Sequence, residues 1–148
     1  MIRIAGEGDI PRIRSCAELA YSRYVTAIGR KPAPMVADFA SQIVTGDVYV
    51  ATDAEGEILG FIVFFEELGY IMLENVAVFP EAAGRGVGKE LVGFCEETAR
   101  RRGLDAVHLY TNEKMTENLS IYPRLGYLEV GRRTEDGFNR VYFKKSVS

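Results

Sequence analysis

Apolar residues along this chain recur with two periods, and each change of period marks the edge of an element. Ile13, Ala17, Ala20 and Tyr24 return at helical spacing, which predicts a helix over residues 10–27 with Asp9 as its cap. A short strand at residues 3–5 precedes it. Residues 29–34, Gly-Arg-Lys-Pro-Ala-Pro, read as a loop, because prolines two apart cannot sit inside a helix. A second, shorter helix is predicted over 35–44. Apolar runs at 48–52, 57–66 and 70–79 then predict three strands joined by turns at 53–56 and 67–69, an antiparallel meander. Residues 86–102 return to the helical period, with Val87, Leu91, Phe94, Cys95 and Thr98 on one face. A fifth strand at 106–111, a helix at 116–125 and a strand pair at 127–134 and 139–145 around Asp136-Gly137 complete the pattern.

The join between the fourth strand and the helix over 86–102 carries the most specific chemistry. The strand stops at Pro80, glycines stand at 84, 86 and 88, and the helix begins at once. Glycine lets backbone approach a ligand closely. The first turn of a helix offers unpaired N–H groups and partial positive charge, a natural seat for phosphate. Two common phosphate loops do not fit. A P-loop, G-x-x-x-x-G-K-S/T, would need glycine at Ala83 and a hydroxyl at Glu90, whose carboxylate would repel phosphate. The dinucleotide fingerprint started at Gly84 finds Lys89 in place of its last glycine, and it belongs at the first strand of a βαβ unit rather than past mid-chain.

The run Val78-Phe-Pro80 followed by Gly84-Arg-Gly-Val-Gly88 resembles the acetyl-CoA loop of the GNAT superfamily of N-acetyltransferases, Q/R-x-x-G-x-G/A between a strand and a helix. Gly86 and Gly88 match the two small positions, while Ala83 replaces the usual Gln or Arg. A second match lies at Asn118-Leu-Ser-Ile-Tyr-Pro-Arg-Leu-Gly-Tyr127, where Ile121-Tyr122-x-Arg124-x-Gly126-Tyr127 resembles the family's L-Y-x-K-x-G-F. The first half of that motif departs, with Met115 at the usual Asn and Asn118 at the usual Ala. Pro123 is an oddity expected to distort the last turn. The resemblance is good over residues 58–143 and extends to the first fifty residues only in layout.

This resemblance implies a single α/β domain over residues 1–148, with a mixed, mostly antiparallel sheet of six to seven strands and about four helices. It implies acetyl-CoA as co-substrate, its pyrophosphate held by backbone around Ala83, Gly84, Arg85, Gly86, Val87, Gly88 and Lys89. The backbone of Val76, Ala77 and Val78 would line the pantetheine, with the oxyanion donor at Val76 or Val78. Tyr122 would protonate the departing sulfur, and Asn118 and Arg124 would lie against the cofactor. Arg124 equally reads as a surface arginine.

Acetyl transfer to an amine also needs a base. Glu74 stands inside an otherwise apolar strand, where a carboxylate is costly unless it faces a cleft or a partner. It resembles the strand-four glutamate of polyamine-type family members, and burial would raise its pKa toward a useful range. A solvated or arginine-paired Glu74, with water relaying the proton, is the alternative. By strand alternation Asn75 would point to the opposite face. Glu66, Glu67 and Glu74 together hint at a cationic acceptor, and Tyr21, Tyr24 and residues 30–35 fall where the family builds its acceptor pocket. His108, the single histidine, reads as a sheet residue, and no Cys/His pair at ligand spacing suggests a metal site.

Composition narrows the partners. A length of 148 residues suits one domain. A net charge of −3 without a basic run argues against nucleic acid, and no apolar stretch is long enough to span a bilayer. The start, Met-Ile-Arg-Ile-Ala, lacks the apolar core of a signal peptide. Cys16 and Cys95, each on an apolar helix face, read as buried thiols in a reducing cytoplasm. The expectation is a cytoplasmic N-acetyltransferase acting on a primary amine of a small molecule, polyamine-like or amino-acid-like, as monomer or homodimer. The alternatives are a protein or peptide N-acetyltransferase and a non-catalytic acyl-CoA-binding module.

Overall fold

Strand β3 (Ile58–Glu67) forms the middle of the molecule, because Phe61, Ile62 and Val63 are fully buried although they point alternately to opposite faces. Such a doubly covered strand needs helices on both sides. In the computed structural model, which describes residues 1–148, that is the arrangement found. The other strands are β1 (Ile2–Ile4), β2 (Val48–Thr52), β4 (Tyr70–Val78), β5 (Ala106–Asn112), β6 (Leu128–Glu135) and β7 (Phe138–Ser146). They make one sheet in the order β1-β2-β3-β4-β5-β7-β6. All neighbours run antiparallel except β4 and β5. That parallel pair requires a crossover, supplied by helix α4 (Val87–Arg101).

One core lies between the sheet and α4, built from Ile62, Phe64, Leu73, Leu91, Cys95 and Leu109, with Tyr122 at its edge. Helix α5 (Thr116–Arg124) supplies that tyrosine. The other core packs Phe61, Val63 and Ala77 against helix α1 (Ile10–Tyr21) and helix α3 (Phe39–Val44). Both cysteines are free and buried, and burial pushes the Cys16 thiol up to about 12. No helix is long and apolar enough to cross a membrane.

The predicted meander, cofactor helix and final strand pair are present, and the four predicted helices are found with changes in the first two. The first breaks after Tyr21 into a 3₁₀ turn, Ser22–Tyr24, and the single-turn helix α2 (Val25–Ile28). Asp9 does not cap it: the carboxylate accepts from Arg3 at 2.8 and 3.0 Å and from the Gly6 amide at 2.8 Å. A bidentate charged partner outcompetes a helix amide. The second divides into a 3₁₀ turn, Ala33–Val36, and α3, because Asp38 accepts from the Ser41 amide at 3.1 Å and starts a helix there.

Helix α5 ends in a Schellman motif. Gly126, at φ 95°, takes the left-handed position, the Tyr127 amide bonds the Tyr122 carbonyl at 3.0 Å, and the Gly126 amide bonds that of Pro123 at 3.1 Å. Pro123 therefore stands in the last turn without breaking it. The Tyr122 and Tyr127 rings, 5.8 Å apart, make the contact that accompanies this motif. Tyr127 then donates to buried Glu96 of α4 at 2.9 Å, and Lys145 of β7 binds the other Glu96 oxygen at 2.9 Å. This network ties the end of α5 to α4 and the sheet. Tyr127→Phe should lower unfolding free energy by about 1.5–3 kcal/mol, the usual worth of a hydrogen bond to a charged group. Urea denaturation measures it, and an unchanged midpoint would mean the network carries no load.

Candidate active site

Strands β4 and β5 pair only over Tyr70–Leu73 and Ala106–Leu109, and beyond Leu73 they part. The split begins at a bulge. Val63 of β3 faces Asn75 and Phe64 faces Leu73, so Glu74 has no partner across the ladder. A bulge re-aims side chains and bends its strand. Past it, the amide of Phe79 bonds Leu59 of β3 at 2.9 Å. By alternation, the amides of Val76 and Val78 turn away from β3 into the split.

A long groove runs from this split to the start of α4. The amides of residues 84–89 reach no acceptor in the protein, and the first bond of the helix is from Glu90 to Gly86 at 3.0 Å. Gly86 occupies the N-cap with φ 79°, a conformation open to glycine, and no side chain caps the helix. Six successive amides at the positive end of a 15-residue helix fit a diphosphate. Val76, Ala77 and Val78 line the groove toward the split. Ala83, Gly84, Gly86, Val87, Gly88 and Lys89 line it at the helix.

A second, narrower cleft lies at the other end of the split. Tyr21, Val76, Asn118 and Tyr122 line both spaces, so these four mark where they meet. The hydroxyls of Tyr21, Tyr127 and Tyr142 are committed to protein acceptors, whereas that of Tyr122 is not. Burial, and secondarily Cys95, holds the Tyr122 phenol far above its ordinary pKa. It therefore keeps its proton. Asn118 sends its amide nitrogen to Thr111 at 3.1 Å. Tyr21 reaches both Asn75 Oδ1 at 2.7 Å and the Val76 carbonyl at 3.0 Å, and Asn75 in turn donates to Pro34 at 2.9 Å.

Glu74 and Asn75 line this second cleft together. Strict alternation would have sent them to opposite faces. The bulge removes the alternation at that point, so the expectation that Asn75 points away from the space Glu74 enters is corrected. Burial raises the Glu74 pKa, Arg140 lowers it, and Asp47 and Glu67 raise it, with a net upward shift. Pro32 and Pro34 close one side of the cleft and Phe138 another. Arg30 joins these walls: its guanidinium donates to the Asp136 carbonyl and lies 3.7 Å over the Phe138 ring. Gly137 makes room, since a Cβ there would stand 2.7 Å from that guanidinium.

The model of the Acetyltransferase (GNAT) family matches residues 14–127. The chain belongs to the GNAT acetyltransferase family. It is thus an acyltransferase, and the groove fits an acyl-CoA. The ribosomal-protein-S18-alanine N-acetyltransferase of Escherichia coli superposes with a TM-score of 0.79 at 20% identity, covering 100% of this chain and 94% of that one. Nourseothricin acetyltransferase gives 0.74 at 23% identity over 100% and 98%. The PaiA N-acetyltransferase of Thermoplasma acidophilum, solved with coenzyme A, gives 0.76 at 17% over 99% and 98%. At these identities they share the GNAT fold with this chain. A search of curated protein sequences gives no match.

Within this GNAT fold most residues expected at the site come together, and a few do not. Arg85 is exposed and lines neither space, its guanidinium reaching the Glu81 carbonyl at 3.4 Å. Arg124 is likewise exposed on the outer side of α5, whose inner wall is Asn118, Ile121, Tyr122 and Leu125. The acidic trio disperses: Glu66 pairs with Arg102 at 3.6 Å, Glu67 is exposed, and Glu74 alone enters the cleft. His108 stacks on Tyr70 at 3.9 Å outside both spaces. Sequence reading missed the hydrogen bonding of Tyr21 through Asn75 to Pro34, the Arg30 bridge, and Arg140. No local pattern announces them, because each partner is remote in sequence.

Two outcomes test the geometry. A Cβ on Gly88 would meet Val78 at an ordinary 3.6 Å, so the helix accepts a side chain there while the groove does not. Gly88→Val should weaken coenzyme A binding in calorimetry by about tenfold or more with little change in Tm, and unchanged affinity would exclude the groove. The raised Glu74 pKa means that ionising this carboxylate costs stability in the folded state. That cost is absent below the unfolded carboxylate pKa and fully present above the folded one, so it grows as pH rises through that window. Glu74→Gln should therefore gain Tm relative to the parent between pH 4 and pH 7.5, and a constant difference across that range would mean that Glu74 is not desolvated.

Proposed function

We propose that this chain transfers an acetyl group from acetyl-CoA to a primary amine of a small molecule by direct attack. The observation that carries the reading is the meeting of two spaces at Tyr122, Tyr21, Val76 and Asn118 where β4 and β5 part. Unpaired amides at residues 84–89 support diphosphate binding in the groove. The thioester would then lie at the junction, with its carbonyl oxygen beside the Val76 or Val78 amide. Such a donor, fixed before the reaction, stabilises the charge that develops on oxygen.

Glu74 suits the base. A carboxylate pushed up by burial holds a proton from an ammonium more readily than an exposed one. The amine so freed attacks the acetyl carbon, the oxyanion collapses and the C–S bond breaks, and the second proton shed by the new amide nitrogen leaves on the departing sulfur as the free thiol. Tyr122, kept protonated by burial, donates to the departing thiolate. Because its pKa lies above that of an ordinary thiol, its part is a strong hydrogen bond to sulfur, and full transfer of the proton runs uphill.

A small acceptor is favoured by the Arg30 bridge, which ties the loop carrying Pro32–Pro34 to the turn before Phe138 and so holds two walls of the cleft together. An extended peptide needs an open groove there. Tyr122→Phe should lower turnover at saturating acetyl-CoA by about 10- to 1000-fold and change coenzyme A affinity less than threefold. Free-thiol release over a panel of amines and N-terminal peptides measures it, and full turnover in the variant would refute the donor role. Turnover of peptides alone would transfer the activity to a protein acceptor.

A further inference from the structure

The acceptor cleft carries a cation that the acetyl-transfer steps do not use. The Arg140 side chain is 11% exposed and lines the cleft together with Glu74 and the loop of Pro32–Pro34. Its guanidinium lies 4.5 Å over the Tyr110 ring and 5.7 Å over that of Phe138. The nearest carboxylate, Glu135, stands at 3.9 Å, beyond hydrogen-bonding reach, and is itself engaged by Tyr142. Aromatic faces hold the position of a guanidinium but satisfy none of its N–H groups. A nearly buried arginine without a hydrogen-bonded acceptor is costly, and the side that remains open is the cleft.

Resting on the small-molecule reading above, we propose that Arg140 is the specificity-determining residue for an acceptor that bears a carboxylate as well as its amine, an amino acid or another amino-carboxylate. The planar fork of arginine matches a carboxylate with two parallel hydrogen bonds. Glu74 lines the same cleft and feels the Arg140 charge. The cleft therefore presents a carboxylate and a guanidinium to a ligand that carries an ammonium and a carboxylate. A polyamine would bring a second ammonium against Arg140 and be repelled. Arg140 sits across β7 and β5 from Asn112, past the point where β5 leaves β4, so the split that admits the thioester also opens the way to this cation. The arrangement orients the acceptor with its amine toward Tyr122 and its anionic end away from the sulfur.

The experiment pairs each amino-carboxylate with the amine that lacks the carboxylate: α-amino acids, and ω-amino acids of two to six carbons, against the matching alkylamines, with a diamine series alongside. Free thiol is followed on the full chain with acetyl-CoA. The expected result is at least one pair in which the carboxylate raises kcat/KM by between about tenfold and a hundredfold, the span of a charged hydrogen bond, chiefly through KM. In Arg140→Gln that ratio should collapse toward one, and in Arg140→Lys it should be partly retained because charge survives without the fork. Alkylamines or diamines acetylated as well as every amino-carboxylate would overturn the inference while leaving the small-amine reading intact. A ratio that persists in Arg140→Gln would also overturn it. If no amine in any series is acetylated, both fall. Thermal melting of each variant separates loss of the fold from loss of selectivity, and the comparison within the parent chain needs no variant at all.

Discussion

The parting of β4 from β5 after Leu73 is the constraint on which the rest of the molecule depends. Parallel strands joined by a crossover helix hold together at one end, and a sheet that stayed paired to the tips would leave no space for a ligand. The bulge at Glu74 bends β4 away while β3 keeps it hydrogen-bonded through Val78. A row of backbone groups that would otherwise serve the ladder is thereby left facing the split. The same single inserted residue returns Asn75 to the α1 side of the sheet, within reach of Tyr21, and keeps Glu74 at the cleft. The cost of unpaired backbone is met in part by the Tyr21 hydroxyl on the Val76 carbonyl.

Placement of Tyr122 is equally indirect. Its own hydroxyl is free of protein partners, so its position comes from the backbone behind it. The Schellman turn at Gly126 fixes the end of α5, and Tyr127 fastens that turn to Glu96 and Lys145. A buried carboxylate with a tyrosine and a lysine is a directional anchor, one that apolar packing alone would not supply. A tyrosine held by its neighbours keeps its hydroxyl available to whatever enters the groove.

The acceptor side is built from contacts across long sequence distances. Arg30 reaches the turn at Asp136, Pro34 receives Asn75, and Arg140 lies on Tyr110. Loops that would be open in isolation become walls because a cation or an amide spans between them. Charge in the cleft is therefore set by which loops meet, and the carboxylate of Glu74 and the guanidinium of Arg140 share one space for that reason.

Local periodicity was enough to place the meander, α4 and the final strand pair, because burial of an apolar face imposes its period directly on the sequence. The glycines at 84–88 and the Tyr122–Tyr127 segment were legible for a similar reason: tight backbone and a Schellman turn demand particular residues at fixed spacing. The first helix broke at Tyr21 and Asp9 chose Arg3 over the helix amides, since a stronger partner from elsewhere overrode local preference. The bulge, too, left no mark that strict alternation could reveal, and it decided that Glu74 and Asn75 would share a cleft. Sequence by itself determined the family, the order of elements and the glycine-rich bend before α4, all products of short-range constraint. Only the tertiary structure decided where Arg124 and Arg85 point, how the acceptor cleft is walled and which charges face it, because those outcomes depend on contacts between residues far apart along the chain.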